Sequence, residues 1–274
     1  MTPPNRPNRR VTLAGLAGTA AALTAASARM AQAGDGSTPD APVPASARPL
    51  RIAMLLYPGM TALDLVGPQA VLAGIAGGGL HLVARTAGRV ASDTGLALVA
   101  EESFETCPRD LDVLFVPGGD GTPAQMRDAD TLAFLRDRGA RAGWITSVCT
   151  GSLILGAAGL LRGYRATSHW CVRDQVLPRL GAIPVEARVV FDRNRVTAAG
   201  ISAGLDFALA LSARLAGADA AHTSQLVAEY APAPPFDAGT PAAAGPAITA
   251  RARAILGPLI AGSEAAAAAM AARP

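Results

Sequence analysis

The stretch GWITSVCTGSLIL, residues 143–155, decides how the chain is read. Residues 144–148 (WITSV) form an apolar run of the length of one buried strand. From Gly151 to about residue 161, small and branched apolar residues continue as a close-packed helix. Cys149 stands between the two with no room for a loop. A strand that turns straight into a helix strains its corner residue and lifts that side chain out at the carboxyl end of the sheet. The first amides of the helix point at the same place, where the helix dipole favours an anion. A thiol held there is expected to be acidic and exposed, as a nucleophile must be. Taken alone, the same cysteine also fits a small buried apolar residue.

Outward from this corner, apolar runs and helical stretches alternate. Residues 50–56 (LRIAMLL) and 111–116 (LDVLFV) are continuous apolar segments, as expected of parallel strands buried on both faces. A helix follows the first of them, with Thr61 as candidate cap, Asp64 in its first turn and Pro68 bending or interrupting it before about Ile75. Residues 80–86 read as a second strand, and 90–100 as a hairpin around SDTG at 92–95. Further helices are expected over 123–138, in a segment ending near Leu180, and over 201–215 with Ser202 as cap. Strands are expected at 185–191 and 195–199. This order predicts an α/β fold: a three-layer sandwich with a mostly parallel sheet, spanning residues 50–238. Residues 239–274, rich in Ala, have helix propensity and little to bury, and read as an appended helix or a frayed tail.

The 274 residues are enough for one sizeable core. The formal charge is +3, but Arg6, Arg9, Arg10 and Arg29 all precede residue 34, where there is no acid. Without them 20 arginines face 21 acids, a net charge of −1. The remaining chain therefore has no basic excess for nucleic acid or an anionic membrane. Lys is absent, which excludes Schiff-base chemistry on a lysine. Residues 1–33 are predicted to be a twin-arginine (Tat) export signal. Arg9-Arg10 precedes an uncharged, weakly apolar run, and Ala31-Gln32-Ala33 supplies a cleavage pattern. Cleavage there makes Gly34 the mature N-terminus, leaves no membrane anchor, and delivers the protein to the periplasm or the exterior. Residues 34–49, rich in Pro, Ala, Ser and Asp, read as a disordered linker.

Ligands of such sheets bind at the carboxyl ends of the strands. Three segments converge there: the start of the Asp64 helix, the PGG turn at 117–119, and Cys149. Cys149 is the candidate nucleophile, and Asp64 is placed to exchange a proton with the thiol or the substrate. Backbone amides at Gly118, Gly119 and Thr150 are candidates to hold developing negative charge. His169, twenty positions after Cys149, either lowers the thiol pKa or relays a proton, or is a helix-entry histidine bonded to backbone. His81 and His222 read as structural. The three cysteines lack metal spacing, and no Cys/His/acid cluster suggests zinc. PGGDG at 117–121 lacks the Lys and Ser/Thr of a P-loop.

Several stretches resemble the ThiJ/PfpI superfamily, and within it the isonitrile (isocyanide) hydratase branch. They are YPGMTALDLVGP at 57–68, VPGG at 116–119, TSVCTG at 146–151, LGAAGLL at 155–161, YRATSHW at 164–170, RVV at 188–190 and GISAGLD at 200–206. The resemblance runs in order from residue 50 to about 238. It implies a flavodoxin-like fold, with the family's nucleophilic cysteine on Cys149, its helix-borne acid on Asp64, the following residue on Thr150 and its histidine on His169. It further implies hydration of an isocyanide, a small-molecule substrate, to an N-substituted formamide, without a cofactor, by a homodimer. Two other uses of the thiol fit the same residues: glyoxalase or deglycase action on methylglyoxal-like aldehydes, and redox sensing through reversible oxidation. The export signal and the Ala-rich tail depart from the family pattern.

Overall fold

The computed structural model describes residues 48–271. The export signal expected at 1–33, and the linker up to residue 47, lie outside the described residues. β1 (Ile52–Leu55) leads into α1 (Ala62–Ala76), and β2 (Leu80–Ala84) follows. Next come the hairpin β3 (Gly88–Ala91) and β4 (Ala97–Ala100), and the short β5 (Glu102–Ser103). β6 (Val113–Val116) precedes α2 (Thr122–Gln125) and α3 (Ala129–Gly139), and β7 (Trp144–Val148) precedes α4 (Gly151–Ala157). β8 (Arg165–Ala166), α5 (Trp170–Arg173), a 3-10 turn (Leu177–Leu180) and β9 (Ile183–Pro184) form the next connection. β10 (Val189–Asp192) and β11 (Arg195–Ala198) lead to α6 (Ala203–Ala216) and α7 (Ala218–Val227). The tail holds α8 (Pro241–Ile255) and α9 (Gly257–Ala271).

The central sheet has seven strands in the order β10-β11-β7-β6-β1-β2-β5. Every neighbouring pair is parallel except β10 with β11. All four residues of β1 and of β6 are buried, which is why both read as unbroken apolar runs. From β1 the chain steps outward to β2, then returns to the other side of β1 at β6. The order therefore reverses between β1 and β6, the kind of switch point at which sheets of this class bind ligands beyond the carboxyl ends of the strands. Helices α1, α6 and α7 pack together as one layer, and α2, α3, α4, α5 and α9 as another. This is the expected three-layer, mostly parallel α/β architecture.

Side-chain chemistry shortens or divides several expected elements. The helix expected over 123–138 is two, because Asp128 caps α3 with Oδ1 accepting from the Thr131 amide at 2.7 Å. The segment expected to be helical up to Leu180 is α5 followed by the 3-10 turn. Pro68 does not interrupt α1. It is buried against α6, where a Cβ on Gly204 would come within 3.1 Å of its Cγ, and this packing offsets the lost backbone bond. Thr61 precedes α1, but its hydroxyl donates to Asp93 at 2.5 Å instead of capping the helix. Ser202 likewise leaves α6 uncapped, and its Oγ accepts from Arg188. In the tail, α8 buries nothing, whereas α9 buries Leu259, Ser263, Ala266 and Ala267. Arg127, just past α2, ties α9 down by donating to the Gly262 carbonyl at 2.9 Å. The small residues that promised little to bury are what allow α9 to approach closely.

Candidate active site

Cys149 follows the last residue of β7 directly and has φ of 58°. That left-handed conformation costs an L-residue about 1–2 kcal/mol, so neighbouring groups must hold it. The Cys149 amide donates to the carbonyls of Ala198 (3.1 Å) and Ala199 (3.0 Å) at the end of β11. Its carbonyl accepts from the hydroxyls of Ser168 (3.1 Å) and Ser152 (3.3 Å). From the β6 side, Gly118 passes so close that a Cβ on it would lie 2.4 Å from the Thr150 nitrogen. Only glycine fits that approach.

Asp64, fully buried in the first turn of α1, lies against the Cys149 thiol. Its Oδ2 accepts from the Gly118 amide at 3.0 Å. Its Oδ1 has no hydrogen-bond partner among the described residues. Burial lifts the carboxyl from its ordinary 3.8 to about 7, against the hydrogen bond from Gly118 and the adjoining Cys149 thiol, and the nearby charge of Asp93 adds to the rise. The carboxyl thus titrates near neutrality, where a proton carrier works best.

The thiol itself corrects an expectation. Cys149 is only 5% exposed, and its pKa is pushed well above the ordinary thiol value. Burial is the main cause and the Asp64 charge the second; the amides of Ile201 and Thr150, which face the sulfur, oppose them. Helix α4, whose first amides lie at this corner, has only seven residues. The resting group is a neutral thiol beside a proton acceptor, not an acidic exposed thiolate.

The remaining site residues divide. The Gly118 amide is committed to Asp64, and the Gly119 amide donates to Thr150 Oγ1 at 3.0 Å. The amides that face the sulfur are instead those of Thr150 and Ile201. The Thr150 hydroxyl also lies 2.7 Å from Thr122 Oγ1, which is 3.3 Å from the Tyr57 hydroxyl. Tyr57 in turn donates to the Pro117 carbonyl at 2.9 Å. This buried network latches the β7–α4 corner to the β6 loop. His169 caps α5: its Nδ1 accepts from the Cys171 amide at 3.4 Å and lies 3.0 Å from Cys171 Sγ. Burial lowers its pKa from 6.5 to about 4. The ring is therefore neutral near pH 7, and with Nδ1 accepting we assign its proton to Nε2. It is the backbone-bonded helix-entry histidine, and it supplies no positive charge to lower the Cys149 pKa.

Ile201, Ser152, Ser168, Tyr57 and Thr122 escaped sequence reasoning. Of these, the Ile201 amide had a usable signal, since Gly200-Ile201 follows β11 and β11 neighbours β7. His81 pairs with Glu102 at 2.6 Å, and the three cysteines are free and buried. Among the described residues, no three His, Cys, Asp or Glu side chains are grouped to hold a metal ion.

The sheet order and the corner define a flavodoxin-like α/β protein with a cysteine at a strand-to-helix elbow, against a buried carboxyl. The DJ-1/PfpI family model matches residues 50–214, and the chain belongs to that family. It is 53% identical over 204 residues to isonitrile hydratase of Pseudomonas putida, covering 74% of this chain and 89% of that protein. The crystal structure of a ThiJ/PfpI family protein from Pseudomonas syringae, 53% identical, covers 80% of this chain and 91% of its own with a TM-score of 0.78. Drosophila melanogaster DJ-1beta, 21% identical with a TM-score of 0.59 over 68% of this chain and 100% of its own, shares the fold.

Proposed function

We propose that the chain is an isonitrile hydratase, adding water to R–N≡C to give R–NH–CHO, with Cys149 as nucleophile and Asp64 as proton carrier. The observation that carries this reading is the Asp64 carboxyl lying against the thiol of the Cys149 elbow, in a chain so similar to an isonitrile hydratase. An isonitrile carbon accepts both a nucleophile and a proton, which suits a neutral thiol beside a carboxylate. The sulfur lone pair forms the S–C bond while the thiol proton passes through Asp64 to the same carbon. The product is a thioformimidate, R–N=CH–S–Cys149. Water then attacks that carbon, giving one proton to Asp64, which passes it to the imine nitrogen. The tetrahedral R–NH–CH(OH)–S–Cys149 collapses by breaking C–S; the hydroxyl proton returns to sulfur and the formamide leaves. One hard addition becomes two easier steps. The amides of Thr150 and Ile201 steady charge on sulfur as it attacks and leaves, while the Thr150 hydroxyl keeps its own amide in place.

The proposal extends to location and assembly: export by the residue 1–33 signal with cleavage before Gly34, and a homodimer acting on a small molecule. The test is formation of N-cyclohexylformamide from cyclohexyl isocyanide by residues 34–274. The expected result is turnover in the unmodified protein and loss of about a thousandfold or more in Cys149→Ala, the scale of removing a covalent nucleophile. Absence of formamide from folded protein contradicts the reading.

A further inference from the structure

Cys149 is nearly closed off, so a substrate must approach through neighbouring space. A cleft of about 530 Å³ has walls that include Ser168 and Ile201, two residues that themselves touch Cys149. The Ser168 hydroxyl holds the Cys149 carbonyl at 3.1 Å, and the Ile201 amide faces its sulfur. Two other clefts, around Arg85, are lined by neither residue. The cleft beside Cys149 is flanked by His169 and Trp170 and by the connector at 239–241 that begins α8. Its charged lining is neutralised within the protein: Arg188 pairs with Asp206 at 2.5 Å, and Arg173 with Asp174 at 2.8 Å and Glu186 at 3.3 Å. What it offers a ligand is the apolar surface of Trp170, Ile201 and Pro241, and the ring edge of His169 with its proton on Nε2.

We propose that this cleft is the route to Cys149 and the seat of the substrate's N-substituent, and that Ala187, Trp170 and the 239–241 connector set the size and polarity it accepts. The inference rests on the hydratase reading for its chemistry, but not for its geometry. The cleft suits a neutral apolar group with one hydrogen-bond acceptor, because every cation in its wall already has an anion. The connector gives the tail a role that helix packing alone does not: α9, docked against α2, α4 and α5, anchors the chain that forms one wall.

Two substitutions narrow the cleft without entering the core. Gly239→Trp adds a side chain where a Cβ meets nothing within 4 Å and the backbone is not left-handed. Ala187→Trp adds bulk at a partly exposed wall position. Each is expected to lower kcat/KM for cyclohexyl isocyanide about tenfold or more while changing that for methyl isocyanide less than about threefold, the scale at which pocket size discriminates. In parallel, alkylation of Cys149 by N-cyclohexylmaleimide and by N-methylmaleimide is followed by peptide mass mapping. The cyclohexyl reagent should slow selectively in both variants. Unchanged ratios between large and small reagents, in both variants and both assays, overturn the proposal. A selective shift in alkylation without any isonitrile turnover keeps the cleft as the route to Cys149 and removes the hydratase reading instead.

Discussion

Opposing influences act on one sulfur at Cys149. Two amides and a short helix favour its thiolate, while burial and the Asp64 carboxyl oppose it, and the opposition wins. The strained corner was legible in the sequence, because a strand ending at Val148 and a helix starting at Gly151 leave no other geometry. The thiol's protonation was not legible, since it depends on how deeply Asp64 and the β6 loop cover it. The same burial makes Asp64 a stability switch. Its folded pKa of about 7 lies above the ordinary 3.8, so the folded state holds a proton that the unfolded chain has released. The associated stability is complete below about pH 4 and is lost as pH rises through 7. Over the whole interval the loss is about 4 kcal/mol. Asp64→Asn has no proton to lose, so its stability relative to the unmodified protein should rise between pH 5 and 8. Urea midpoints across that range check this; parallel curves for the two proteins contradict it. Activity runs the other way. The carboxylate form is needed to take the thiol proton, so kcat/KM should rise with pH to a plateau, with an apparent pKa near 7 that belongs to the Asp64–Cys149 pair.

Among elements, the site is a seam between the ends of β1, β6, β7 and β11. Gly118 is where the seam is tightest, and a bare Gly-Gly turn in the sequence does not distinguish close approach from an ordinary turn. Gly118→Ala places a methyl 2.4 Å from the Thr150 nitrogen and 2.6 Å from its hydroxyl. The substitution should cost about 2 kcal/mol or more and weaken the latch through Thr122 and Tyr57. A lower thermal midpoint together with reduced turnover is expected, and an unchanged midpoint contradicts the packing described. The caps were misread for a related reason. Thr61 and Ser202 hold the right positions, but Asp93 and Arg188 are distant in sequence and compete for their hydroxyls. Asp128, within a segment read as one helix, is the residue that caps. Local propensity gave the main elements in the right order but not α7 or the two-residue strands β5, β8 and β9; side-chain partners, local at Asp128 and farther off at Asp93 and Arg188, decided the caps.

For the whole molecule, alternation of apolar runs with helical stretches carried the α/β class, and the burial of β1 and β6 explains why that signal was strong. The tail was harder to read, because the value of Ala266 and Ala267 lies in close approach, which composition does not express. The charge asymmetry of the first 33 residues yields a separate prediction. Protein recovered after export should begin at Gly34, and N-terminal sequencing that finds Met1 or Thr2 contradicts the signal reading. Size and light scattering of the mature protein should give twice the monomer mass. The central claim is that Cys149 carries the substrate covalently, and acid quenching during turnover with cyclohexyl isocyanide, followed by peptide mass mapping, tests it most directly. The Cys149 peptide should gain the mass of one intact isonitrile, the Cys107 and Cys171 peptides should not, and the adduct and formamide production should disappear together in Cys149→Ala. Formamide production that continues in Cys149→Ala would contradict it.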